Sequence, residues 1–157
     1  MLKRIKPYII SVAIALAVGG LSAFFTRNNM DIYSTINTPP LSPPSILFPI
    51  VWTILYILMG ISAAIVYTNK DKQYIPVVSA LFVYAVSLFF NFWWSILFFN
   101  GRFFTFAFVW LLLLDLSVIA TIKRYIPISK LAAYLQIPYL VWVLFATYLN
   151  LGIAVLN

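Results

Sequence analysis

Residues 32–69 read IYSTINTPPLSPPSILFPIVWTILYILMGISAAIVYTN, 38 positions without a charged side chain. A helix crossing a bilayer takes about 20 predominantly apolar residues, so this stretch is too long for one span and must be divided. The division falls at Thr38-Pro-Pro-Leu-Ser-Pro-Pro44, where each proline removes a backbone donor and restricts the residue before it. That segment is loop, and residues 45–68 after it form one membrane-length helix.

The rest of the chain repeats the pattern. Uncharged runs extend from Pro7 to Thr26, Gln73 to Gly101 and Leu131 to Asn157, and the run between Arg102 and Lys123 is broken only by Asp115. The fold class expected is an all-α integral membrane protein, a compact bundle of five transmembrane helices at roughly 6–26, 45–68, 75–99, 103–123 and 130–155. The outer loop is 27–44, and residues 1–157 make a single domain. A transmembrane β-barrel would show ~10-residue segments of alternating polarity, and none is present. The basic N-terminus also resembles a secretory signal, with Leu21-Ser-Ala23 as a cleavage site, but the apolar run exceeds the usual 7–15-residue core of such signals. Retention as the first helix is the preferred reading.

Composition agrees. Of 157 residues 64% are apolar and 8% charged, with mean hydropathy +1.04, whereas soluble domains carry about 25% charged residues. Without Cys there is no disulfide or thiolate chemistry, and without His the commonest metal ligand and general base is missing. No metal site is expected.

The net charge of +7 is a topology signal. With the N-terminus inside, the inner side holds Lys3, Arg4, Lys6, Lys70, Lys72, Lys123, Arg124 and Lys130, and the outer side only Arg27 and Arg102. Short loops rich in Lys and Arg stay cytoplasmic, so the N-terminus is expected in the cytoplasm and the C-terminus outside, in the plasma (inner) membrane. Cations spread over three short segments make no phosphate-tracking groove, and no nucleic-acid partner is expected. Nor is there an internal repeat of the kind that builds inverted-repeat transporters.

Aromatic residues make up 18% of the chain. In the second helix Phe48, Trp52, Tyr56, Met59 and Ala63 recur on one face; in the third, Ser87, Asn91, Trp94 and Phe98; in the fifth, Tyr139, Trp142, Ala146 and Asn150. Two readings are open. Small residues and Asn at helical spacing can be helix–helix contacts, or the rings can wall a cavity in which a few polar groups orient a flat ligand, with the proline-stiffened loop as lid.

The stretch Ile32-Tyr33 through Pro39-Pro40-Leu41-Ser42-Pro43-Pro44 to Phe48, Pro49, Trp52 and Tyr56, with Met59-Gly60, resembles the loop and second-helix signature of the TspO/MBR family. That family comprises the tryptophan-rich sensory proteins and the mitochondrial translocator, or peripheral benzodiazepine receptor. Asn91-Phe-Trp-Trp94-Ser95 with Phe98-Phe99, Ser129 to Ala133, Pro138 to Trp142 with Phe145-Ala146, Leu149-Asn150, and Gly19-Gly20 match it further. The resemblance implies a five-helix bundle, commonly dimeric. It binds tetrapyrroles such as protoporphyrin IX and flat drug-like molecules in a pocket under the loop, and no cofactor is required. Carried over position by position, the ligand-binding residues are Tyr33, Pro43, Pro44, Phe48, Trp52, Tyr56, Asn91, Trp94, Trp142 and Ala146.

Departures from the family pattern fall at Ile32 and Leu41, which thin the aromatic lid, and at Thr38, which stands in place of a basic residue. After Asn150 the chain lacks the Tyr and Lys/Arg of the cholesterol motif, so high-affinity cholesterol binding is not expected. Asp115 aligns with no family acid. A carboxylate at membrane depth is costly, and it is read either as a protonated, hydrogen-bonded structural group or as part of a proton relay.

Three functions follow. The first is a receptor or transport-like protein in which a porphyrin stacks on Trp52 and Trp142; without His or Cys, stacking counts for more than iron coordination. The second, implied by the resemblance, is light- and oxygen-dependent breakdown of protoporphyrin IX in which Trp52 and Trp142 take part. The third is a stress-sensing interaction protein.

Overall fold

The computed structural model describes residues 2–157, with side chains from Arg4 onward; the side chain of Lys3, one of the eight cations read as inner, lies outside that range. The chain forms α1 (Leu2–Thr26), a short α2 (Ile32–Thr35), α3 (Leu47–Tyr67), α4 (Tyr74–Ser95) continued by a π-helical turn (Ile96–Asn100), α5 (Phe104–Tyr125), α6 (Lys130–Leu135) and α7 (Ile137–Leu156). No strand occurs among the described residues. Among the described residues, five helical stretches are long and apolar enough to cross a membrane: Arg4–Thr26, Leu47–Tyr67, Tyr74–Asn100, Phe104–Tyr125 and Lys130–Leu156.

Three prolines sit where a missing N–H costs little. Pro49 and Pro76 are the third residues of α3 and α4, and Pro138 is the second of α7, all within the first turn, whose donors have no intrahelical acceptor. Pro138 also explains why the fifth span, expected as one helix, is divided at Gln136: its ring nitrogen cannot bond the carbonyl four residues back. The fully buried Gln136 side chain bridges the break by donating to Ser62 Oγ (3.2 Å), which itself donates to the Ala132 carbonyl (2.7 Å).

The spans close into a ring. α1 lies on α3, α3 on α6 and α7, α7 on α5, α5 on α4, and α4 returns to α1. Glycine lets α1 and α3 approach closely: a Cβ on Gly60 would stand 2.5 Å from the Val12 backbone, and one on Gly19 only 2.2 Å from the Tyr56 ring. Small residues at such contacts suit membrane helices, whose association relies on packing. The loop end of the bundle carries residues 27–46, Gly101 to Phe103 and the C-terminus. The opposite, basic end carries Arg4, Lys6, Lys70, Lys72, Lys123, Arg124 and Lys130.

The 27–46 connection contains more structure than a bare loop. α2 forms one helical turn, and the proline-rich segment beyond it is irregular, as its composition dictates.

Candidate functional site

The helical repeat of α3 turns Phe48, Trp52 and Tyr56 toward the bundle axis at the loop end. Trp52 stacks on Tyr56 (ring centroids 5.7 Å apart, 29° between planes), tilts against Trp94 of α4 (6.3 Å, 37°) and meets Tyr139 of α7 edge-on (6.2 Å, 68°). Aromatic pairs at these separations are favourable beyond their burial. Two asparagines fix the rings. Asn91 accepts from the Tyr56 hydroxyl (2.6 Å) and donates to the Tyr139 hydroxyl (2.9 Å). Asn150 accepts from the Trp94 indole N–H (3.0 Å) and donates to the Phe104 carbonyl (2.8 Å). At membrane depth no water competes for these groups, so α3, α4, α5 and α7 are tied at the level of the rings.

Above the rings lies a cavity of about 370 Å³. Its aromatic wall is Trp52, Tyr56 and Trp94 with Phe98 and Phe99 of the π turn. α7 contributes Ala146, Leu149, Asn150 and Ile153, and α1 contributes Gly19, Ser22, Ala23 and Thr26. Met30, Asp31, Tyr33, Ser45, Ile46 and Phe48 line it from the connection and the start of α3.

That connection has two unlike halves. Residues 37–40 are pinned to the end of α7: Asn37 N–H donates to Asn157 Oδ1 (2.9 Å), Asn157 Nδ2 donates to the Asn37 carbonyl (2.9 Å), and the Tyr148 hydroxyl donates to the Pro40 carbonyl (2.8 Å). The buried Pro39 packs where Gly152 leaves room, since a Cβ there would stand 2.5 Å from its ring. Beyond Leu41, which is 83% exposed and takes the left-handed φ of 67°, the segment to Ile46 is held by bonds from the Ser42 hydroxyl to the Pro39 carbonyl (2.6 Å) and from the Tyr33 hydroxyl to the Pro43 carbonyl (3.3 Å). Asn29 and Asn100 close the other corner, with Asn29 Nδ2 donating to Asn100 Oδ1 (2.8 Å) and Asn100 Nδ2 to the Phe25 carbonyl (3.0 Å).

Of the ten residues singled out from the sequence, Tyr33, Phe48, Trp52, Tyr56, Trp94 and Ala146 line the cavity. The other four stand around it. Asn91, 1% exposed, sits below, holding the two tyrosines. Trp142 lies behind Phe48, ring centroids 6.0 Å apart, with its indole N–H buried and unpartnered. Pro43 shapes the lid through its carbonyl, and Pro44 is exposed beside it. The α1 contribution was not singled out, yet Gly19, Ser22, Ala23 and Thr26 recur at i, i+3, i+4 and i+7, a small-residue stripe legible without coordinates. Asp115 lies apart, between α5 and α7, with Oδ2 accepting from Thr147 Oγ1 (2.9 Å) and Oδ1 unpartnered. No cluster of metal-binding side chains occurs among the described residues.

A ring of five membrane-length helices around an aromatic cavity defines a multi-pass membrane protein with a ligand-sized space inside one end of its bundle. Comparison with known proteins gives the family: the TspO/MBR family model matches residues 11–156, and the chain belongs to that family. It is 37% identical over 159 residues to a tryptophan-rich protein TspO of Chlorobaculum tepidum, covering 100% of this chain and 99% of that one. It is likewise 37% identical over 158 residues to one from Archaeoglobus fulgidus, covering 98% and 99%. With the human translocator protein it shares 33% identity over 129 residues, 82% of this chain and 76% of the relative.

Proposed function

We propose that this protein binds tetrapyrroles, protoporphyrin IX among them, and other flat hydrophobic molecules in the cavity beneath the 27–46 connection. The observation that carries the reading is the cavity wall, in which Trp52, Tyr56 and Trp94 form a continuous aromatic surface with the Tyr56 hydroxyl and the Trp94 indole N–H already bonded to asparagines. Such a surface offers a flat ligand stacking and shape, with few competing polar demands. At about 370 Å³ the cavity lies at the small end of the ~300–1,000 Å³ range of ligand sites. A porphyrin therefore enters with the segment 41–46, exposed except at Ser42 and Pro43, displaced and with its propionates left at the mouth. The residues carrying the site are Tyr33, Phe48, Trp52, Tyr56, Trp94 and Ala146, with Asn91, Trp142, Pro43 and Pro44 supporting them from behind and above.

In this reading the protein sits in the plasma membrane with its basic end and N-terminus in the cytoplasm, as a homodimer. A second reading, photo-oxidative breakdown of the bound porphyrin, draws on the contact of Trp52 with the cavity and of Trp142 with Phe48.

Dark titration of detergent-solubilised protein with protoporphyrin IX, followed by tryptophan quenching, tests the first reading. Saturable quenching weakened by Trp52→Phe is expected, and its absence under all conditions would overturn binding. Illumination then tests the second: a Soret band that bleaches no faster than in empty micelles removes degradation.

A further inference from the structure

At the basic end, remote from the aromatic cavity, a second cleft of about 1030 Å³ opens between α1, the end of α3 and the middle of α4. Arg4, Lys6 and Lys70 stand at its rim, opposed by the carboxylate of Asp71. Lys70 is directed there by its neighbour, its Nζ donating to the Tyr67 hydroxyl (2.8 Å) and lying 4.4 Å from the centre of that ring. Below the rim the walls turn apolar, with Ile10 and Ile14 facing Leu81, Ala85 and Leu88. From Arg4 to Ile14 is ten residues, about 15 Å at 1.5 Å per residue, or half of a ~30 Å hydrocarbon core. The cleft thus runs from headgroup level to about the depth of one leaflet. Its wall includes Tyr84, which is 6% exposed and whose hydroxyl has no hydrogen-bond partner, a donor still without an acceptor.

Topology requires only that cations lie on one side of the membrane, not that three of them converge on an apolar slot. Lys123 and Lys130, at the same end, line no part of it, and Arg124 is engaged with the Ser79 hydroxyl. We propose that this cleft is a binding site for one acidic phospholipid, its phosphate between Arg4, Lys6 and Lys70 and one acyl chain laid along Ile10, Ile14 and Leu88. Basic pockets between helices select anionic headgroups by charge, while the slot below selects for a chain, so that a lipid satisfies both parts where a free anion satisfies one.

The test uses the full chain in neutral detergent, titrated with dioleoylphosphatidylglycerol, dioleoylphosphatidylcholine or inorganic phosphate, and read by native mass spectrometry and by melting temperature. One phosphatidylglycerol per chain is expected to be retained with about tenfold preference over phosphatidylcholine. Joint replacement Arg4→Gln, Lys6→Gln and Lys70→Gln reduces retention to the phosphatidylcholine level, whereas Lys123→Gln with Lys130→Gln leaves it unchanged. Ala85→Trp, which fills the slot and spares the charges, lowers retention of both lipids. Equal retention of the two lipids by the unaltered protein, equal loss in the Lys123/Lys130 control, or equal protection by inorganic phosphate would overturn the proposal. Should the triple variant not fold, Lys70→Gln and Ala85→Trp decide between the same outcomes.

Discussion

The two ends of the bundle partner their buried polar groups to different degrees. At the loop end, the Asn91 and Asn150 side chains are committed to tyrosine, tryptophan and backbone partners, and the rings they hold wall an aromatic cavity. Toward the basic end, the hydroxyls of Tyr84 and Tyr125 and the Gln136 Oε1 are buried without partners, as is the Trp142 indole N–H behind Phe48. Burying a polar group without a partner is costly, so the contrast has a physical consequence. The asparagine side chains at the loop end build a rigid wall, whereas the unpartnered hydroxyls of Tyr84 and Tyr125 could be removed at little cost to the fold.

Substitutions can break this comparison, and the largest effect belongs to Asn91. Asn91→Ala strands two buried hydroxyls at once and should destabilise the bundle by about 2–4 kcal/mol; a melting temperature within a degree of the unaltered protein would show that the tyrosines find other partners. Neighbouring glycines give the next contrast. An added methyl at Gly19 drives into the Tyr56 ring, which its bond to Asn91 holds in place, so Gly19→Ala should cost about 1–3 kcal/mol as overpacking. Gly20 has open space at the same position, and Gly20→Ala should be neutral or slightly stabilising through helix propensity. Equal losses for the two would mean that the α1–α3 contact is not set by Tyr56.

Smaller differences sharpen the comparison. Tyr56→Phe removes the donor that Asn91 accepts and should cost about 1 kcal/mol, while Tyr84→Phe removes an unpartnered hydroxyl and should cost nothing or stabilise slightly. A Tyr84→Phe loss as large as that of Tyr56→Phe would erase the distinction between the ends. A small effect is also expected of Asp115→Asn: an amide oxygen still accepts from Thr147 Oγ1, so stability should stay within about 1 kcal/mol. Dark affinity for protoporphyrin IX should not change either, and a pH-dependent ligand uptake that vanishes in this variant would favour the relay reading instead.

Much of this architecture is legible in the sequence because a bilayer imposes a length on every apolar run. The five expected spans meet the observed helices within a few residues at most ends, and Thr38 to Pro44 is irregular because proline leaves no alternative. What the runs do not encode is local backbone detail. The π turn at Ile96–Asn100 ends where Asn100 is bonded to Asn29 and to the Phe25 carbonyl, and the break at Gln136, though Pro138 imposes it, is bridged by Ser62 of another helix.

The candidate site follows the same division. Helical spacing puts Phe48, Trp52 and Tyr56 on one face, but spacing alone cannot give depth. Asn91 and Trp142 share faces with cavity residues and yet sit beneath and behind them, because their positions depend on which neighbouring helix each ring meets. The wall from α1 is harder to read because it consists of Gly19, Ser22, Ala23 and Thr26, residues that form a cavity by what they leave empty.

Ala146 offers the most direct access to the central claim, since it lines the cavity and a larger side chain there occupies the space without touching the asparagine bonds. Ala146→Leu should weaken saturable dark quenching by protoporphyrin IX at least tenfold while the melting temperature shifts little. Unchanged affinity in a folded Ala146→Leu protein would contradict the assignment of the ligand to this cavity.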